Sequence, residues 1–599
     1  MNYSTAFMTY ALTGDLNGWE IAFSSESPEE KLEIATWNLQ SDVPRTLPVL
    51  KLAFAVPHRD NQVKWHPKST LAESHHYLPW WWNGGKTHSS LVRNAPVCSF
   101  MNLDGVNCLT FALSDAIRDS FFSAGPREKT EGFISTEIDL YSVEEAPRCQ
   151  ARFSVRIDRR PLFYAESLRQ VSDWYAAMPE YAPTPVPAAA RLPLYSTWYQ
   201  YQKDVSAATV ERDLERLPET GLQTIILDDG WQCEATEGGG SSYASCGAWQ
   251  PFPGKFPDMA RHVRKFHDRG IRYMLWFAVP FVGCEAKEIF ARFEGKYLNP
   301  EAADTRTLDP RYPDVREYII QTYERAVREW KIDGLKLDFI DQFHLVGRKD
   351  PAVDKNYAGC DIKCLPEAVD RLLSETIRRL KILNPEILIE FRQLYIGPAI
   401  RKYGNLFRAA DCAHDLLENR VRTIDIRLLA GDTAVHSDMT TWSPEDSAEI
   451  AALQILNVLF SVPQISVVLD ELPARHRDMI TFWMKFVVDH QNTLQLGRLV
   501  PLHPELSYPQ VTAYGKNETI TAVYDADRIV PVAPGKGPHL IVNATHRHEV
   551  ILDLETVPAA VRAFDVLGQA AVTACPNQAG LAKVAVPPSG YLEVIGAVV

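Results

Sequence analysis

The chain has 599 residues, 46% of them apolar and 23% charged, with 40 Pro and 31 Gly. At about 150 residues per domain this suggests roughly four units, or fewer if one is a barrel, and a core large enough to need no disulfide or metal staple. The balance of 62 basic against 76 acidic residues, net −14, argues against a nucleic-acid partner or an anionic membrane surface. The 14 Trp, 23 Tyr and 25 Phe exclude a disordered chain.

No basic segment followed by an apolar one opens the sequence, and no apolar run approaches the ~18 residues of a membrane span. A cytoplasmic protein with no membrane partner is expected. The 10 Cys are scattered, and the close pair Cys360 and Cys364 has no second pair at zinc-site spacing. Reduced thiols are expected, with no metal and no cofactor.

In chain order, the first 180 or so residues read as all-β. Short strands at 34–37, 49–55, 132–138 and 151–157 are separated by Pro, Gly, Asn and Ser clusters. The Pro- and Ala-rich stretch 183–191 reads as a linker without a packing pattern. The hydrophobic period then changes. Strands are predicted at 192–198, 222–227, 271–278, 334–339, 386–391, 406–412, 434–437 and 464–469. Helices at 207–217, 259–269, 315–330, 366–383, 418–430, 445–458 and 475–491 follow most of them. Eight strands, nearly all followed by helices, over some 300 residues indicate a (β/α)8 barrel. From about 500 short strands return, at 512–513, 519–524, 539–543, 550–552 and 591–595. The predicted organisation is an N-terminal β-sandwich (1–182), a linker (183–191), a catalytic TIM barrel (192–498) and a C-terminal antiparallel β domain (499–599).

Barrel chemistry sits at the C-terminal ends of the strands. The second predicted strand ends in Leu227-Asp228-Asp229-Gly230-Trp231, and the fourth in Lys336-Leu337-Asp338-Phe339-Ile340-Asp341. The sixth delivers Arg408, Asp411 and Asp415; the seventh delivers His436-Ser437-Asp438-Met439. One Asp at a strand end more often caps the next helix than does chemistry. Carboxylates on four strand ends, with Lys336, Arg408 and aromatics beside them, suit glycosidic bond cleavage better than metal-assisted hydrolysis.

These motifs, together with Gly247-Ala248-Trp249, Lys255-Phe256-Pro257, the run from Gly270 to Phe277, Leu308-Asp309 and Asp333-Gly334-Leu335-Lys336-Leu337-Asp338, carry a resemblance. The chain resembles glycoside hydrolase family 36, the melibiase-type α-galactosidases, across the barrel and more weakly in the flanking β domains. The resemblance implies a retaining exo-hydrolase acting on α-galactoside oligosaccharides or glycosides, with a tendency to form homo-oligomers. It implies Asp338 as nucleophile and Asp411, rather than its rival Asp415, as general acid/base. Asp228 and Asp229 would then accept from the axial 4-OH and the 6-OH, which requires the strand to have broken into loop before Gly230. Lys336, on the same face as Asp338, would bind sugar hydroxyls and favour the ionised nucleophile. Trp231, unless it is an ordinary core aromatic, would cover an apolar sugar face; Trp276, Arg392 and Arg408 complete the implied binding residues.

This chain also departs from the family. Glu390-Phe391-Arg392-Gln393-Leu394-Tyr395 stands where a Cys or Ser and a Gly-rich run usually face the C2 substituent, and Ala248 replaces an Asp. The Arg usually six residues before Asp309 is absent, with Arg306 as a stand-in. The Arg-Ala-Ala-Asp run and the seventh-strand motif are closer to the raffinose-synthase-like branch. His436 and Asp438 remain open between structural and subsite roles. His75, His76 and the Trp80–Trp82 patch read as packing on the barrel. The alternatives are an α-N-acetylgalactosaminidase, an α-galactosyl transglycosylase, or a sugar-binding protein that has lost catalysis.

Overall fold

Alternating apolar residues build the N-terminal region into two six-stranded sheets whose neighbouring strands run antiparallel. The computed structural model describes residues 1–67, 86–126, 132–143, 146–234, 243–392, 397–535 and 537–596. The two sheets close on one core in which Tyr10, Trp37, Phe54, Phe111 and Phe153 meet, with Trp37 stacked on Phe153 at 5.1 Å between centroids. This is the expected N-terminal sandwich.

The region is not all-β. A 13-residue helix, Tyr164–Ala176, follows the last sandwich strand and buries Tyr164, Leu168, Val171 and Tyr175. Their spacing of four, three and four is a helical stripe readable in the sequence. The helix ties the regions together: the Tyr164 hydroxyl donates to the Pro501 carbonyl at 2.9 Å, and Ser172 Oγ to Leu429 O at 2.9 Å.

The Pro- and Ala-rich stretch is also more than a linker. It ends in a short 3₁₀ turn, Ala188–Arg191, and Ala190 is fully buried against Leu194, Ile226, Met274, Leu388, Leu406 and Ala434 at the N-terminal mouth of the barrel. A small apolar side chain on a stiff Pro-framed backbone closes this mouth without needing periodicity.

Eight parallel strands form a closed barrel in chain order: Leu194–Ser196, Thr224–Leu227, Arg272–Phe277, Gly334–Leu337, Leu388–Phe391, Leu406–Arg408, Ala434–Thr440 and Val462–Ile465. All eight overlap predicted strands: the first six are shorter than predicted, the seventh is longer, and the eighth begins two residues earlier and shares only 464–465 with its predicted range. Gly334 is required where it stands, because a Cβ there would lie 2.6 Å from Leu388 O and 2.8 Å from Met274 Cγ. Helices including Met259–His267, Pro313–Arg325, Leu365–Leu383, Leu416–Ala430 and Ala474–Asp489 surround the barrel. The chain ends in a seven-stranded and a three-stranded sheet, which are mixed and not antiparallel as expected: Thr519–Val523 runs parallel to His539–Asn543, and Ile529–Val532 parallel to Glu549–Leu554. Among the described residues no helix is long and apolar enough to cross a membrane.

Candidate active site

The second barrel strand stops at Leu227, so Asp228 and Asp229 lie beyond it, as their joint use requires. Gly230 turns the chain away at φ 114°, and a Cβ on it would lie 2.7 Å from Lys203 Cα. Asp228 is locked: its Oδ1 accepts from Asp229 N at 2.9 Å, and its Oδ2 takes the Lys336 ammonium. Asp229 Oδ1 accepts from Gln232 at 2.7 Å, while Lys203 Nζ stands 3.6 Å from Oδ2. Burial raises the Asp229 carboxyl above its ordinary range, against the pull of Lys203.

Lys336 therefore pairs with Asp228 across the barrel, not with the nucleophile candidate two residues on. Asp338 is held by other groups. Its Oδ2 accepts from the Trp276 indole at 2.9 Å; its Oδ1 accepts from Phe339 N at 2.8 Å and stands 2.8 Å from Arg392 Nε. Phe339 occupies the left-handed region at φ 58°, a costly conformation for a bulky residue that turns the chain directly after Asp338. Its ring packs with Tyr243 at 4.9 Å and Phe281 at 5.1 Å.

Arg392, one residue past the fifth strand, reaches both candidate catalytic carboxylates. Its Nη1 donates to Asp411 Oδ2 at 3.1 Å while its Nε faces Asp338. Arg408, on the sixth strand and wholly buried, donates to Asp411 Oδ1 at 2.9 Å and to Asp438, and its Nε lies 3.6 Å from Glu390 Oε1. Asp438 neither lines the cleft nor caps a helix. It is fully buried behind Asp411, accepting from Arg408, from the Tyr199 hydroxyl at 2.6 Å and from Cys412 N at 2.7 Å. Burial raises the Asp438 carboxyl, opposed by Arg408. Burial would also raise Asp411, but Arg408, Arg392 and Lys336 outweigh it and hold Asp411 well below the carboxylate range. The three cations thus favour the ionised form of Asp411.

Other predicted residues lie elsewhere. Trp231 is fully buried among Trp249, Phe277 and Trp330, and its indole donates to Trp276 O at 3.0 Å. It belongs to the core and offers no face to a sugar. Asp415 caps the helix Leu416–Ala430, accepting from Glu418 N at 2.9 Å. His436 is buried at the barrel mouth against Ala190 O at 2.7 Å, and burial pulls its imidazole down to about 4. Arg306 pairs with Glu294 at 2.8 Å; it is Arg311 that grips Asp309, at 3.0 and 2.8 Å. His75, His76, Trp80–Trp82 and residues 393–396 lie outside the described residues.

Two features had weak signals or none. Asp341, three residues after Asp338, is buried, with its carboxyl pushed up to about 6 by burial and the Asp338 charge; the acid was visible, its burial was not. Tyr199 lies 239 residues before Asp438, its hydrogen-bond partner, so no local pattern connects them.

A sandwich, a closed (β/α)8 barrel and a C-terminal domain of mixed β-sheets follow one another along the chain. The structure is similar to the family 36 α-galactosidase AgaA from Geobacillus stearothermophilus, with a TM-score of 0.65 and 13% identity, covering 98% of this chain and 83% of that one. An AgaA variant has been solved with stachyose. The structure is also similar to a family 31 sulfoquinovosidase from E. rectale, with a TM-score of 0.60 and 12% identity, covering 99% and 88% of the two chains. In sequence, alpha-galactosidase Mel36A of Lactobacillus acidophilus is 22% identical over 152 residues. That match takes in 24% of this chain and 20% of the relative, so it spans about a fifth of that protein's length. No protein-family model matches the chain.

Proposed function

We propose that the chain is a retaining exo-glycoside hydrolase that releases terminal α-linked galactose from oligosaccharides or glycosides. The observation that carries this reading is the pair Asp338 and Asp411. They lie just past the C-terminal ends of the fourth and sixth strands, close enough for one guanidinium to pair with both. In the first step an Asp338 oxygen attacks the anomeric carbon. The glycosidic C–O bond breaks, and the departing oxygen takes a proton from Asp411. In the second step Asp411 takes a proton from water, whose oxygen attacks the anomeric carbon and expels the Asp338 carboxylate. Trp276 fixes one nucleophile oxygen, and the Asp438–Arg408 unit fixes the acid/base. Asp228 and Asp229 supply acceptors for the 4-OH and 6-OH. The stachyose held by AgaA supports an α-galactosyl oligosaccharide as the substrate class.

A second reading, an α-N-acetylgalactosaminidase, draws on Arg392. By the resemblance it faces the C2 substituent, and its guanidinium can donate to an acetamido carbonyl. A panel of nitrophenyl α-glycosides of galactose, N-acetylgalactosamine and glucose, with the β-L-arabinoside, tests both readings. The first expects galactose to be preferred. Preference for the acetamido sugar selects the second, and preference for glucose, whose 4-OH is equatorial, defeats both.

A further inference from the structure

Arg392 is a residue of unusual placement. Its guanidinium lies over the Phe339 ring, 5.3 Å from the centroid, with Nε at 2.8 Å from Asp338 Oδ1 and Nη1 at 3.1 Å from Asp411 Oδ2. A planar fork suits such bridging; an ammonium concentrates its charge at one point. The other cations nearby are otherwise committed: Arg408 to Asp438 and Glu390 as well as Asp411, and Lys336 to Asp228.

We infer that Arg392 is a counter-ion shared by the two catalytic carboxylates, serving Asp338 and Asp411 in alternation through the reaction without changing place. The inference rests on the retaining reading above. In the reactive complex Asp338 is ionised and Asp411 protonated. Once the glycosyl ester forms, Asp338 is neutral and Asp411 carries the charge. Hydrolysis of the ester reverses this. One negative charge is present at each stage, and Arg392 touches whichever oxygen bears it. Its charge therefore favours proton delivery by Asp411 in the first step and departure of the Asp338 carboxylate in the second.

The same contact has a cost before substrate binds, because Arg408 and Arg392 favour the ionised form of Asp411, which cannot serve as acid until it gains a proton. Asp411 faces Arg392 from the fifth strand, Arg408 from the sixth, Lys336 from the fourth, Asp438 from the seventh and Tyr199 after the first. Arg422 reaches only its backbone carbonyl. Arg392 itself faces Asp338, Asp411, Arg408, Asp341 and Tyr243.

The experiment replaces Arg392 by Gln, which keeps donors but not charge, and by Lys, which keeps the charge but not the fork. In the free proteins, carboxyl ¹³C titration of Asp411 is expected to move upward by at least about one unit in Arg392→Gln and by less in Arg392→Lys. The alkaline limb of the pH–rate profile should move the same way. With a dinitrophenyl glycoside, whose leaving group needs no acid, the second step should slow and a burst should appear. Millimolar guanidinium should restore turnover to Arg392→Ala. An unmoved Asp411 titration and alkaline limb, with only KM raised, would make Arg392 a sugar-binding residue and overturn the inference. The titration needs no substrate. If no α-glycoside of the panel is turned over, the hydrolase reading fails on the panel while the shared contact is decided by the titration.

Discussion

The two sides of the cleft hold their carboxylates differently. At the end of the second strand each aspartate has its own lysine: Asp228 pairs with Lys336, and Asp229 stands 3.6 Å from Lys203. Across the cleft Asp338 and Asp411 share Arg392, and Asp411 also shares Arg408 with Asp438. A private lysine fixes a carboxylate as a permanent acceptor, which suits holding a hydroxyl. A shared guanidinium spreads one positive charge over groups whose own charge changes during reaction. On the proposed reading the contrast separates recognition on one side from chemistry on the other, and mutation of each side should give a different kind of loss.

The largest effect is expected on the chemical side. Asp338→Gly should lower turnover by about a thousandfold or more, and azide should restore it by forming a β-glycosyl azide. Near-normal turnover in this variant would end the distinction, because no charge would then be alternating there. Asp411→Ala should cost about a hundredfold to ten-thousandfold on substrates with poor leaving groups and far less on dinitrophenyl glycosides. Because three cations hold Asp411 low, its protonated fraction grows as pH falls. Glycosylation of poor substrates by the intact enzyme should therefore gain from acidification until another group limits. A rate that falls as pH falls from neutrality toward 5 would place the acid elsewhere.

Smaller losses are expected on the recognition side. Asp228→Asn and Asp229→Asn should lower kcat/KM by about tenfold to a few hundredfold, since a hydrogen bond to a charged group contributes about 1.5–3 kcal/mol. The loss at the 6-OH partner should shrink on a β-L-arabinoside, which lacks C6. Asp228→Asn should in addition lower the melting temperature, because it leaves the buried Lys336 ammonium without its counter-charge; breaking such a pair costs about 3–5 kcal/mol. Stability lost at either position with unchanged sugar preference would reduce that residue to a structural one. The smallest kinetic effect belongs to Trp231→Phe. It should cost about 1–3 kcal/mol of stability through lost packing and one indole hydrogen bond, with kcat/KM within about threefold. A change in sugar preference there would return Trp231 to the cleft.

Much of this arrangement was legible before the fold was known, for local reasons. The barrel strands are short runs rich in apolar residues, four of them followed by carboxylates, and strand period alone puts Lys336 and Asp338 on one face. The tandem acids before Gly230 announced a strand breaking into loop, and the structure ends that strand at Leu227. The stripe Tyr164, Leu168, Val171 and Tyr175 was equally readable as a helix, although the surrounding strands suggested otherwise.

What the tertiary structure decided is which charge meets which. Lys336 lies two residues from Asp338 in sequence, yet its ammonium crosses to Asp228, just past the end of another strand 108 residues away. Arg392, marked by the sequence only as a departure beside the fifth strand, proves to touch both Asp338 and Asp411. Trp231 and Asp415 follow or approach acids in sequence exactly as functional groups would, but one is folded into the core and the other caps a helix. Sequence alone sets backbone period and residue type, which act over a few positions. Ion pairing acts through space, and in a closed barrel the nearest opposite charge is supplied by whichever strand end stands across the mouth.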